Sequence, residues 1–407
     1  MSIKLRLIIL NFLEFFAWGA WLLSAGAYMY VTLKFTGLEI GAVYGTLGIA
    51  SLFMPAVMGI VADKWMNAER VFGISHIILG LLLFYITSVT DFNTFYILIL
   101  LVSMFFMPTI ALDNSISYAV LEKHKYDIVK TFPPIRVWGT VGFILAAWMV
   151  DMFGWKIGHE QFIVSGVASI VLGIYSFTLP AVPPSSSTEN RTLVQRLGLD
   201  AFSLFKERKM AIFFIFSMLL GATLQVTNIW GVPFLEDFAK DYQGYFAVEH
   251  SLFLMTLSQA SETVFILTIP FFLKKFGIKR VMIMSMLAWV IRFAFFGLGN
   301  PGSGLPFLIL SMIIYGMAFD FFNISGSLFV EKEAKPSMRS SAQGLFMIMT
   351  NGLGAIFGAY GSGYIVDHFT HSGNKDWPTI WFIFAAYSLI VTISFALVFK
   401  YKHVPEE

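Results

Sequence analysis

The chain of 407 residues contains no cysteine. That excludes a disulfide framework, a thiolate nucleophile and any metal site built on sulfur. Charge is the second scarcity. Asp, Glu, Lys and Arg make up 13% of the chain, about half the ~25% of a soluble domain. The net charge of +2 is too small to suggest a nucleic-acid partner. Histidine is sparse as well: six of the seven lie in loops, leaving His76 alone in an apolar run. No metal-binding cluster and no nucleophile–base set is visible, so neither a cofactor nor an enzyme activity is expected.

What is abundant is apolar. Hydrophobic residues make up 57% of the sequence, in runs of about twenty residues or longer, which is the length of a membrane-spanning helix. Barrel strands would be about half as long and would alternate in polarity. The expectation is an all-α membrane protein with lipid as its solvent. The start, MSIKLRLIILNFLEFF, lacks a small-residue cleavage site and carries Glu14, so it reads as a first span rather than a signal peptide. Polar and Gly/Pro breaks give twelve windows: 5–33, 40–62, 71–90, 94–120, 134–153, 160–181, 209–235, 249–273, 280–298, 305–330, 338–366 and 378–400.

Orientation follows from the loops. With the N-terminus cytoplasmic, 21 of the 27 Lys and Arg fall in cytoplasmic segments. The outer loops hold only Lys34, Lys156, Lys240 and Lys375. Both termini are therefore expected in the cytoplasm. The longest cytoplasmic loop, 182–208, opens VPPSSSTENR. It reads as a linker dividing the chain into six-helix halves, 1–181 and 209–407. Its second part, TLVQRLGLDAFSLFK, has the pattern of an interfacial helix. The halves echo each other: Pro133-x-x-Arg136 enters helix five, and Pro336-x-x-Arg339 enters helix eleven. Two six-helix halves are the architecture of major facilitator transporters.

An ionisable side chain inside a span costs roughly 2.5–3.5 kcal/mol on insertion scales and usually faces a cavity. Here these are Glu14, Asp113, Arg136, Glu262, Arg292 and Asp320. Helical spacing groups others with them. Arg136, Thr140 and Phe143 share one face of helix five. Gln225 pairs with Asn228, Gln259 with Glu262, and Tyr315 with Phe319, each three or four residues apart. Amides and a carboxylate beside aromatic rings suit a small, flat, hydroxylated or heteroaromatic ligand. Each group also has a plain reading: Arg136 as a cation at a helix mouth, the amides as glue joining helices, the rings as packing. Glu262 and Asp320 lie near the middles of their spans, where snorkelling explains them least. Glu14, Asp113 and Arg136 share a depth and are expected to form one charge-compensated cluster. Arg292 and Asp320 are expected to pair.

Several strings carry a resemblance. VTLKF, GAVYGTLGIASLFMPAVMGIVADKW, FPPIRVWGTVGF, LGLDAFSLFK, MAIFFIFSMLLGATLQVTN, SETVFILTIPFFL, YGMAFDFFNISGSLFVEKE and FKYKHV resemble the nucleoside:proton symporter family of the major facilitator superfamily. RVWGTVGF also resembles the sugar-facing helix of the related lactose permease family, in which an arginine and an aromatic seven residues later contact the sugar. The resemblance implies a site for purine and pyrimidine nucleosides between the halves. Its contacts would be Arg136, Thr140 and Phe143 from the first half, with Gln225, Asn228, Gln259, Glu262, Tyr315 and Phe319 from the second. It implies proton coupling through Glu262 or Asp320, and a cytoplasmic gate latched by Asp63 in GIVADKW. It further implies a monomer in a bacterial inner membrane. A proton symporter for sugars or oligosaccharides is the nearest alternative. A membrane sensor is a more distant one, since the linker and the tail YKHVPEE are too short to hold a signalling domain.

Overall fold

The computed structural model describes residues 1–184 and 199–401. The linker expected at 182–208 and the terminal tail lie largely outside the described residues. Leu199–Lys206 of the expected interfacial helix form a 3-10 helix.

Before the linker run α1 (Ile3–Gly19), α2 (Gly37–Lys64), α3 (Ala68–Ile86), α4 (Phe92–Lys123), α5 (Ile128–Met152) and α6 (Glu160–Ser176). After it come α7 (Arg208–Glu236), α8 (Ser251–Leu298), α9 (Leu305–Glu333), α10 (Arg339–Met347), α11 (Ala355–His368) and α12 (Trp377–Val398). Among the described residues nine helical stretches are long and apolar enough to cross a membrane, with α10 and α11 counted as one. One small departure from an all-helical chain is a hairpin of β1 (Thr370–His371) and β2 (Asn374–Lys375). Its turn residues Ser372 and Gly373 both have positive φ, which suits a two-residue hairpin loop.

The sequence explains where helices start. The side chains of Asp91, Asp127 and Asp376 accept the N–H groups of Thr94, Lys130 and Thr379, three residues on. Thr36 and Glu39 form a reciprocal capping box at α2: Glu39 takes the Thr36 N–H, and the Thr36 hydroxyl takes the Glu39 N–H. The Asp367 carboxylate accepts the two N–H groups in between, Gly37 at 2.6 Å and Leu38 at 2.7 Å.

Four predicted windows differ in outline. Windows 249–273 and 280–298 form the single element α8, broken at Gly277, whose φ of 76° only glycine adopts freely. Window 5–33 yields α1, then a short turn Ala25–Ala27 and a π-helical segment Tyr28–Thr32. Window 338–366 is divided by the π-helical Ile348–Gly354.

The contacts divide the chain into two units. The first contains Met1–Phe35 and the chain from Ile49 to the linker; the second contains Thr36–Gly48 and the chain after the linker. The first turns of α2 thus group with the second unit, unlike the expected boundary. Small residues allow this: a Cβ on Gly41 would meet the Ala359 carbonyl. In the first unit Leu7 and Leu10 of α1 meet Phe72 of α3 and Ile116 and Val120 of α4. In the second, Ile269 and Val281 of α8 pack with Phe321 of α9. Large apolar residues also lie outside, among them Leu267, Ile174 and Leu397. An apolar exterior along the helices is what a lipid-facing surface requires.

Candidate functional site

Each unit contains a cluster of the predicted residues. In the first unit, Asp127 caps α5 and starts it at Ile128. Pro133 and Pro134 therefore lie inside the helix, at the cost of two backbone hydrogen bonds. Arg136 is carried into the third turn and is not a charge at the helix mouth. Its guanidinium lies 3.9 Å from the ring centroid of Phe15 on α1, a cation–π distance. Thr140 is half-buried on the same face. Phe143 is buried and edge-on to Trp18 of α1, with centroids 6.4 Å apart. The two helices touch through glycine: a Cβ on Gly142 would strike the Phe12 carbonyl, and one on Gly19 the backbone of Phe143.

Asp113 of the expected charge cluster feels both Glu14 and Arg136, and its two acids take further partners. Glu14 contacts His76 of α3 at 2.6 Å, both wholly buried, and is bonded by the Thr109 hydroxyl of α4 at 2.7 Å. Asp113 accepts from Asn11 at 3.2 Å. His76 was isolated in the sequence because its partner is on another helix. A signal did exist: Thr109, Asp113 and Ser117 recur every four residues along α4, and Asn11 precedes Glu14 by three.

In the second unit, Gln225 and Asn228 lie half-buried on α7. On α8, Gln259 has a buried side-chain carbonyl without a hydrogen-bond partner. Its neighbour Glu262 lies beside the Tyr315 hydroxyl of α9. Phe319 stacks parallel to Tyr315, with centroids 5.8 Å apart and 2° between planes. Trp289 meets Tyr315 edge-on at 5.8 Å.

Arg292 does not pair with Asp320. Its Nη1 donates to the Ser311 carbonyl at 2.6 Å and to Ser258 at 3.3 Å, and its guanidinium lies 4.5 Å from the Tyr315 centroid. The reason is geometric. Trp289 and Tyr315 occupy the face of α8 and α9 towards which Arg292 points, and Asp320 is five residues beyond Tyr315, on another face of α9. Asp320 is 6% exposed, and its Oδ2 is buried without a partner.

Phe319, Trp289, Asn323 and Asn351 line one recess of this unit. The two asparagines were not singled out in the sequence, although Asn323 follows Phe319 by one helical turn. Asp63 is exposed on the last turn of α2. Among the described residues no group of His, Asp and Glu could hold a metal ion.

The sequence profile of the family described as "Nucleoside H+ symporter" matches residues 1–404. The chain is 52% identical to nucleoside permease NupG of Escherichia coli (strain K12) over 407 residues, covering 99% of this chain and 97% of that one. It is 51% identical to the xanthosine permease of the same organism over 410 residues, covering 100% and 98%. A crystal structure of nucleoside transporter NupG superimposes with a TM-score of 0.93 at 52% identity, covering 99% and 100%. A POT family transporter, 12% identical, shares the fold with a TM-score of 0.73 over 97% and 95%. The fold is thus that of major-facilitator-like transporters, and this chain belongs to the nucleoside H+ symporter family.

Proposed function

We propose that the chain carries nucleosides into the cell together with protons, by alternating access. The observation that carries this reading is Glu262 beside the Tyr315 hydroxyl, flanked by the unpartnered Gln259 carbonyl and the stacked Phe319. A titratable group near an amide and a flat ring, in a family of nucleoside H+ symporters, supports that reading. Amides read base edges and ribose hydroxyls, since each offers both donors and an acceptor. The substrate contacts are Gln225, Asn228, Gln259, Glu262, Tyr315 and Phe319, with Arg136, Thr140 and Phe143 from α5.

A proton from outside neutralises Glu262, or Asp320 as the second candidate. With that charge removed, the loaded state crosses and releases nucleoside and proton inside. One positive charge moving inward across about 100 mV supplies ~2.3 kcal/mol, enough for roughly fifty-fold accumulation. This reading keeps twelve spans in halves at 1–181 and 209–407, with both termini cytoplasmic, as the Lys and Arg distribution supports. It assigns Asp63 a part in the cytoplasmic gate, the protein to a bacterial inner membrane, and the working unit to a monomer.

The test is Glu262→Gln in proteoliposomes. The variant is expected to exchange internal for external uridine but not to concentrate it. Concentration against a gradient would remove Glu262 from the coupling. Unlabelled lactose is expected not to compete with uridine; effective competition would favour a sugar substrate.

A further inference from the structure

The function above uses carboxylates of the second unit. The first unit buries its own acid, Glu14, whose surroundings are unusually complete. Carboxylate Oε1 is 2.7 Å from the Thr109 hydroxyl, which is itself 2.6 Å from the Phe106 carbonyl one turn back. A hydroxyl has a single proton, so it serves only one of these acceptors at a time. Carboxylate Oε2 is 2.6 Å from His76 Nε2, in contact without the alignment of a good hydrogen bond. Two lone pairs at that distance would repel, so a proton faces the contact. The other ring nitrogen, Nδ1, is buried with no partner.

These facts admit two arrangements, one proton apart. With Glu14 anionic, Thr109 donates to Oε1, and the neutral imidazole presents Nε2–H to Oε2. With Glu14 protonated, its Oε1–H donates to Thr109, which turns its own proton to the Phe106 carbonyl. Both leave Nδ1 as a bare acceptor and direct the ring's one proton at Oε2. An imidazolium at His76 would instead place a charged Nδ1–H against nothing, an expensive arrangement in a site with no exposure. The added proton therefore goes to the acid.

We propose that Glu14 is a second proton-binding site of the transport cycle, poised by Thr109 and His76. The reading rests on proton-coupled nucleoside transport as proposed above. The charged groups around it are few. Asp113 of α4 is held by Asn11, and a charge on either acid opposes one on the other. Arg136 of α5 lies over Phe15, the residue next to Glu14. On α3 the nearby ionisable group is His76 itself. On α6 the charged residue is Glu160, at its first position, while Ser165 bonds the Ala17 carbonyl. Binding a proton at Glu14 removes one negative charge from this cluster while Arg136 keeps its own charge. It thereby changes the field at Arg136, on the face of α5 assigned to substrate.

Two measurements test it. The proton-to-nucleoside ratio is read from the reversal potential of uridine flux in proteoliposomes. Glu14→Gln is expected to lower the ratio by one proton while still binding uridine; an unchanged ratio in a variant that binds uridine overturns the proposal. The second measurement needs neither transport nor the Gln variant. Acidification of the parent protein is expected to produce a protonated-carboxyl C=O infrared band that shifts in Thr109→Val. Absence of such a band, or a band unmoved in Thr109→Val, overturns the proposal even if nucleoside symport stands.

Discussion

The guanidinium of Arg292 lies 4.5 Å from the ring centroid of Tyr315, whose hydroxyl lies beside the Glu262 carboxylate. A buried cation, a ring and an acid thus form one chain of contacts across α8 and α9. Tyr315→Phe keeps the stacking on Arg292 and Phe319 and deletes only the hydroxyl. A hydrogen bond from that hydroxyl to the acid in the loaded site would contribute at most about 1.5–3 kcal/mol, and less where water reaches the acid. Uridine KM is expected to rise about tenfold in uptake assays, with the melting temperature little changed. An unchanged KM would show that Tyr315 does not position Glu262 for substrate.

Arg136 presents a planar cation to Phe15. Lysine keeps the charge but loses the plane and the fork of donors. Arg136→Lys is expected to weaken uridine binding about tenfold, roughly 1.4 kcal/mol. Phe15→Leu should act in the same direction, more weakly. Isothermal titration of the purified variants checks both. Equal affinities for Arg136→Lys and the parent would return Arg136 to a bystander role.

Gly142 has the Phe12 carbonyl against it, whereas Gly344 has open space around it. Gly142→Val is expected to force α1 and α5 apart at about 1–3 kcal/mol. Gly344→Ala should be neutral or slightly stabilising, because alanine favours helix. Thermal unfolding in detergent separates the two; similar melting temperatures would contradict the close contact.

Asp367 accepts the first two N–H groups of α2. Asp367→Ala removes both acceptors and is expected to cost about 0.5–2 kcal/mol, the range of a helix cap. Hydrogen exchange at Gly37 and Leu38 should quicken, while that at Thr94, capped by Asp91, stays as it was. Unchanged exchange at Gly37 would show that the capping box suffices.

Much of this was legible because lipid makes long apolar runs unambiguous. The α7 helix at Arg208–Glu236 lies within a residue of its predicted window at both ends. Capping chemistry was equally readable once weighed: Asp127 starts α5 well before Pro134, where the sequence window began. Gly277 and the π-helical Ile348–Gly354 were not legible. A break inside an otherwise helical pattern depends on the helices packed around it. Partners across helices were hidden for the same reason. Glu14 and Arg136 share a depth, yet Glu14 turns to His76 and Arg136 to Phe15. Depth comes from counting residues, whereas azimuth against a neighbour comes from packing. Arg292 likewise found Ser311 and Tyr315 in place of Asp320.

The most direct measurement is uptake of labelled uridine and adenosine into proteoliposomes, with and without an inward proton gradient. The account predicts accumulation above the external concentration only with the gradient, abolished when the gradient is collapsed. Equilibration to the same level in both conditions would contradict the proton coupling. No uptake of either nucleoside, by protein shown to be folded, would contradict the substrate.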